Sequence, residues 1–391
     1  MMHCNFSTRS LQFQSLLSAV NSRNSPSEYV PNFTFVKPRK VGSAAPALRV
    51  VARAGFSHSH CEPSSGSLNT PLEPRSEVGK YLSGLFLNQK QFFHEAVTKE
   101  LELLAAKRDA SLVLLSRDSG SDDDTLYRKI GQMKLQECHD DVEEVMYMLI
   151  ISKFSEIRVP LVPKLSRCIY NNRLEIGPSK NWDLESIHNI EVLKMVKEYV
   201  SELIGLRVNS SVADNWATTE ISRLHLAQSY AGSILYGYLL KSAFLRYHME
   251  RCLAKENQYD NETKAHCENL SSNELKNIVS GLKGNIQSAP SRRGSVWKEG
   301  LSEDFRWYLM GFDINAFRRS ANPNSIEGIH LINKHCHALF WDDRTGPLNN
   351  DEMILTSFLS MKRLALEAIA FGSFLWDTER CVGSVFKLQE N

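Results

Sequence analysis

Apolar side chains along the chain recur mostly at three- and four-residue steps, the spacing that lines one face of an α-helix. Leu82, Leu85, Phe86, Phe93, Val97, Leu101 and Leu104 form the first such series. A second runs from about Asp123 to Ile157 through Leu126, Ile130, Met133, Val142, Val145, Met148 and Leu149. SRDSGSDDD between them reads as a solvated turn, with Asp122, Asp123 and Asp124 as acids at a helix start. VPLVP (Val159 to Pro163) then stops the helix, because each proline ring removes an amide donor and disfavours helix just before it. The next unit opens near Asp183, with Ile190, Leu193, Val196, Val200, Leu203 and Ile204 facing inward. Thr218 or Thr219 is placed to cap a long helix reaching about Leu253. Its expected face holds Ile221, Leu224, Ala231, Leu235, Leu239, Leu245 and Met249, and its small residues Ala227, Ala231 and Gly232 would let a neighbour approach closely.

From Ala254 to about Gly300 the composition turns to Asn, Ser, Lys, Glu and Gly, which reads as an interdomain linker or long loop. A last helical unit uses Ile326, Ile329, Ile332, Leu339 and Phe340, then Ile354, Met361, Leu364, Ala368 and Leu375. Asn350 with Asp351 and Glu352 makes a suitable start for its second helix. The expected fold is all-α, with helical hairpins or bundles in two or three units joined by loops. The expected bounds are 79–165 for an N-terminal unit, 178–254 for a central one, 255–300 for a polar linker and 301–386 for a C-terminal unit. The central and final long helices end alike, Glu250 to Cys252 in YHMERC and Glu379 to Cys381 in WDTERC. Phe244 and Leu245 match Phe374 and Leu375 only with a one-residue shift, so a repeat rests on few identities.

The leader changes the picture of where the chain works. Residues 1–54 carry seven basic side chains (Arg9, Arg23, Lys37, Arg39, Lys40, Arg49 and Arg53), one acid, Glu28, and many serines. That composition is expected of an organellar transit peptide, cleaved near Ala54 or Gly55 and followed by a disordered linker over 55–78. Pro26, Pro31, Pro38 and Pro46 oppose a continuous amphipathic presequence helix, which favours a chloroplast over a mitochondrion. Without the leader, 39 basic residues (46 − 7) face 44 acidic ones (45 − 1). No basic stripe remains for nucleic acid, and no nucleic-acid partner is expected. LHLAQSYAGSILYGYLL is long and greasy, but it holds His225 and Gln228 and is followed by Lys241 and Arg246, so a buried core helix is expected and not a membrane span. Eight scattered cysteines without CxxC read as reduced, mostly buried thiols.

The candidate chemistry is sparse. HLINKHCH gathers His330, His335, Cys336 and His337, but on a helix their directions diverge, and surface or partly buried histidines are the expected reading. QECHDDVEE brings Cys138, His139, Asp140, Asp141, Glu143 and Glu144 together, which reads as the wet face of a helix before a divalent-cation or acid–base site. Arg292, Arg293 and Ser295 form an Arg-Arg-x-Ser arrangement, so Ser295 is a candidate phosphorylation site. Walker, GxGxxG, GxSxG and HExxH patterns are all missing. No catalytic residue, cofactor or metal is assigned.

LHLAQSYAGSILYGYLLKSAFLRYHMERCL (Leu224 to Leu253) and MKRLALEAIAFGSFLWD (Met361 to Asp377) resemble the plant chloroplast UV-B-induced protein family, which shares domain of unknown function 760. The resemblance covers about Tyr81 to Val382. It implies plastid localisation and an expression link to ultraviolet-B light, and it implies no reaction and no site residues. The expectation is therefore a stromal helical protein, more readily a non-enzyme, acting through contacts with other stromal proteins. The competing class is an enzyme or small-ligand binder with a pocket between helices, using His225, Tyr236, Tyr238 or Tyr247.

Overall fold

A computed structural model of the chain describes residues 68–116, 122–205, 218–256, 304–341 and 353–391. The transit segment, the cleavage region at Ala54 and Gly55, nearly all of the polar linker with Ser295, and Asn350 to Glu352 lie outside the described residues. Helices take 74% of the described residues, so the all-α expectation holds for most of the chain and omits a small sheet.

The N-terminal helices are α1 (Glu77–Asn88), α2 (Phe93–Leu115) and α3 (Asp122–Glu156). The first apolar series is thus two helices, parted by a single 3-10 turn at Lys90–Phe92. Pro160 and Pro163 hold an extended strap after α3, which leads to β1 (Ile169–Tyr170) and β2 (Arg173–Leu174). Next come α4 (Asn181–Glu185), α5 (Ile190–Ile204), β3 (Thr218–Ser222) and α6 (Arg223–Glu256). Last are α7 (Asp304–Met310), α8 (Ile314–Ala321), α9 (Ile326–Phe340), β4 (Met353–Ser357) and α10 (Phe358–Gly383).

Several local expectations give way. Thr218 and Thr219 lie in β3, not at a helix cap, and the Ser222 hydroxyl instead accepts the His225 N–H at the start of α6. Ile354 is in β4, and α10 begins only after Ser357, whose side chain accepts the Ser360 N–H. Ile190 is 79% exposed despite its place in the apolar series, because it is the first residue of α5 and points away from the neighbours of that helix.

The sheet order is β1-β2-β4-β3, with β3 and β4 antiparallel and β2 parallel to β4. This sheet exposes an internal duplication. Adding 136 to the residue numbers turns α5, 190–204, into α9, 326–340; adding 135 turns β3, 218–222, into β4, 353–357, and the start of α6, 223, into that of α10, 358. The two strands pair about their own midpoint, Glu220 opposite Leu355, as a two-fold axis requires. The buried positions of α5 (Val192, Met195, Val196, Val200 and Ile204) map onto Gly328, Leu331, Ile332, Cys336 and Phe340, all buried. Tyr199 stacks on Tyr236 at 4.1 Å and 17°, and their equivalents His335 and Phe371 stack at 4.3 Å and 20°. The Glu-Arg-Cys match therefore aligns the two helices in the wrong register.

The central contact is the crossing of α6 and α10. A Cβ on Gly237 would strike the Ile369 carbonyl, and one on Gly372 would strike the Ile234 carbonyl, a reciprocal pair under the same offset. Glycine is required at both positions, since any side chain would force the backbones apart. Close approach at this crossing is thus supplied by Gly237 and Gly372. Packing is exchanged between the copies, with α5 and α4 against α10, and α9 and α8 against α6. The strap and α3 cover the second copy, and all these elements share one hydrophobic cluster.

Candidate functional site

Where the strap passes α10, its prolines leave backbone groups without helical or sheet partners, and two charged side chains of α10 meet them. Arg363 and Glu367 lie one helical turn apart and are 2% and 0% exposed. Arg363 Nη2 donates to Glu367 Oε2 at 2.9 Å and to the Pro160 carbonyl at 2.7 Å. The Val162 N–H donates to both carboxylate oxygens at 3.1 Å. From α6, the Tyr230 hydroxyl donates to Glu367 Oε1 at 3.4 Å and lies 3.0 Å from His335 Nε2 on α9. Tyr147 of α3 packs beside the His335 ring.

Burial dominates the electrostatics. It holds the His335 imidazole down at about 3, so the ring is neutral at any ordinary pH. It raises the Glu367 carboxyl against the pull of Arg363, the Val162 N–H and Tyr230, and it raises the Tyr230 phenol. Within this cluster four buried polar atoms have no hydrogen-bond partner among the described residues: His335 Nδ1, Arg363 Nε and Nη1, and the Tyr147 hydroxyl. A neutral imidazole, a phenol and a carboxylate form an acid–base set in kind. Here those groups are packed against one another and against Phe371, and what they accomplish is to bind α6, α9, α10 and the strap into one unit.

Two further carboxylates act as plugs. Glu379 of α10 accepts from Tyr238 at 2.6 Å and from the Ser325 and Asn324 N–H groups at 3.1 and 3.3 Å, closing the N-terminus of α9. Glu144 of α3 accepts from the Arg75 and Ser76 N–H groups at 2.9 and 3.0 Å and serves α1 in the same way.

The QECHDDVEE run is therefore not a wet helix face. Cys138, His139, Asp141 and Glu143 are buried, and only Gln136, Glu137 and Asp140 are well exposed. His139 Nδ1 lies 2.7 Å from Glu327, and Glu143 meets His330 at 3.0 Å and Lys334, so the run clamps α3 to α9. The histidines of HLINKHCH separate: His330 goes to Glu143, His335 to the buried cluster, and His337 stacks on Trp341. Burial pushes the Cys336 thiol up to about 12. His225, Tyr236, Tyr238 and Tyr247 do not converge either. His225 is exposed, Tyr236 stacks on Tyr199, Tyr238 serves Glu379, and Tyr247 packs on Phe305 and Tyr308. Arg363, Glu367 and Glu379 escaped the sequence reading. Their signal was charge at multiples of four residues within a largely apolar stretch.

The surface carries a different feature. Nine of the seventeen large apolar side chains that stand exposed among the described residues fall on α1–α3 or the turn between α1 and α2. Along the outer half of the α2–α3 hairpin these are Leu112, Val113, Leu126, Tyr127 and Met133, with Val113 and Met133 at 64% and 66% exposure. A shallow hollow of about 370 Å3, lined by residues that include Tyr81 and Leu103, lies on the α1–α2 side. No described helix is long and apolar enough to cross a membrane.

Together these features define a helical protein made of two interlocked helix–strand–helix copies, with a tightly packed centre and exposed apolar side chains along one helical hairpin. The family model described as protein of unknown function (DUF760) matches residues 126–253. Over 338 residues the chain is 32% identical to the chloroplastic UV-B-induced protein of Arabidopsis thaliana, covering 81% of this chain and 77% of that protein. The chain belongs to this family. No solved structure matches it.

Proposed function

We propose that the protein is a non-catalytic interaction protein of the plastid stroma, linked to ultraviolet-B or light stress, that holds a protein partner on its α2–α3 hairpin. The carrying observation is the concentration of exposed apolar side chains there, since solvated helices ordinarily keep such residues scattered and larger patches mark docking surfaces. The relative's printed name supports the plastid and the ultraviolet link. The acid-poor leader supports import with cleavage near Ala54 or Gly55. The competing pocket built from His225, Tyr236, Tyr238 and Tyr247 loses support because those side chains serve separate neighbours.

One experiment tests both location and contact. Full-length protein with a C-terminal tag, expressed in leaf cells, is expected in the stroma, shortened by about the length of the leader. It should carry a reproducible partner there. The combination Leu112→Ser, Val113→Ser, Leu126→Ser and Met133→Ser should keep the melting temperature and lose that partner. A cytosolic signal refutes the location, and a partner held equally by the variant refutes the docking surface.

A further inference from the structure

The internal two-fold makes the surroundings of β3 and β4 comparable residue by residue, and among the described residues one place is filled in only one copy. On the outer edge of β4 lies β2, parallel, with Arg173 opposite Leu355 and Leu174 opposite Thr356. The Leu355 N–H donates to the Asn172 carbonyl at 3.0 Å. Under the offset of 135, Leu355 corresponds to Glu220 and Thr356 to Ile221. No described strand pairs with the outer edge of β3. The chain segment equivalent to β2 ends in α7, a helix packed on α5 and α6, so the duplication does not supply its own strand here. Burial differs in the same sense: Ile354 and Thr356 are 1% and 0% exposed, whereas their equivalents Thr219 and Ile221 are only half-buried.

We propose that the outer edge of β3 is a strand-addition site for an extended segment of a partner protein, running parallel to β3 with a basic residue opposite Glu220 and an aliphatic residue opposite Ile221. Unpaired ladder groups of an edge strand recruit an extended chain through main-chain hydrogen bonds, and the flanking side chains set the choice. The occupant's chemistry follows from three observations. The copy that is filled is filled by Arg173–Leu174, whose leucine is 0% exposed. Where that copy offers Leu355, this one offers the exposed carboxylate of Glu220, which has no ion pair among the described residues. A second copy of this chain is a poor occupant, because antiparallel pairing centred on Glu220 would set two carboxylates opposite each other. The site is separate from the α2–α3 hairpin, so either surface stands or falls without the other.

The probe is the free, end-capped and fluorescently labelled octapeptide Tyr-Asn-Asn-Arg-Leu-Glu-Ile-Gly, the sequence of residues 170–177, titrated against protein starting at residue 55. Saturable binding is expected at peptide concentrations below about 1 mM. N-methylation of its leucine, which removes a ladder donor, should weaken binding roughly tenfold, the loss of one hydrogen bond with a stranded partner. Glu220→Lys should weaken the native peptide and restore a peptide with glutamate in place of arginine, with the melting temperature unchanged. Absence of saturable binding overturns the proposal, whether residues 206–217 of the chain already take the edge or nothing does. Binding indifferent to both N-methylation and the charge exchange overturns it as well.

Discussion

Arg363 and Glu367 show how much of this core depends on a pair of charges with no solvent to share. Each is desolvated, a cost of several kcal/mol, and recovers it through the other, through the strap groups Pro160 C=O and Val162 N–H, and for Glu367 through the Tyr230 hydroxyl as well. Removing one partner strands the other, whereas removing both leaves an apolar gap. Arg363→Met alone or Glu367→Leu alone is therefore expected to lower unfolding stability by about 3–5 kcal/mol, and the double variant to lose clearly less than the sum. Denaturant midpoints of the three variants decide this; additive losses would show that the two charges are not coupled. The orphaned His335 Nδ1 and Arg363 Nε and Nη1 are sites where internal water would relieve unmet polar groups. The burial of this pair was not legible from the residues alone. An Arg and a Glu four apart read as a surface pair on any helix, and only the burial of 19 of the 26 residues of α10 moves them inside.

At the scale of elements, the crossing of α6 over α10 depends on two glycines that face each other's backbone. Gly237→Ala or Gly372→Ala places a methyl against a carbonyl that cannot move without displacing a helix, so each is expected to destabilise by about 1–3 kcal/mol or more. Gly84→Ala in α1, where nothing lies within 4 Å of the added carbon, should instead stabilise by roughly 0.5–1 kcal/mol through helix propensity. Thermal melts of the three variants separate the two effects, and equal shifts at all three positions would refute the crossing. Periodicity found α3 within about one residue at each end, and it found α9 and most of α10, because long helices that bury one face repeat that face many times. It missed β3 and β4 because five-residue strands hold too few positions to establish a period of two, and their Thr and Ser residues also suit a helix cap. It misread QECHDDVEE because a buried carboxylate and a solvated one look the same until the facing helix is known. His330 and Lys334, the partners of Glu143, lie nearly 200 residues away.

For the molecule as a whole, the exchange of helices between the two copies matters more than the duplication itself. Since α5 and α4 pack on α10 while α9 and α8 pack on α6, each copy relies on the other to cover its long helix, and β3 has β4 as its only described partner. The two copies are joined through 257–303, so they should behave as two halves of one folding unit and not as two domains. A chain cut within that stretch, giving fragments 55–279 and 280–391, tests this. Each fragment alone is expected to lack a cooperative unfolding transition, because Gly237, Ile234 and Tyr230 would face water where Gly372, Ile369 and His335 belong. Mixed at equal concentration they should associate, with near-ultraviolet circular dichroism unlike the sum of the parts and a single melt that rises with concentration. Independent, cooperative melting of 280–391 would show that the second copy closes its own core, and the interlocked reading of the fold would then fail.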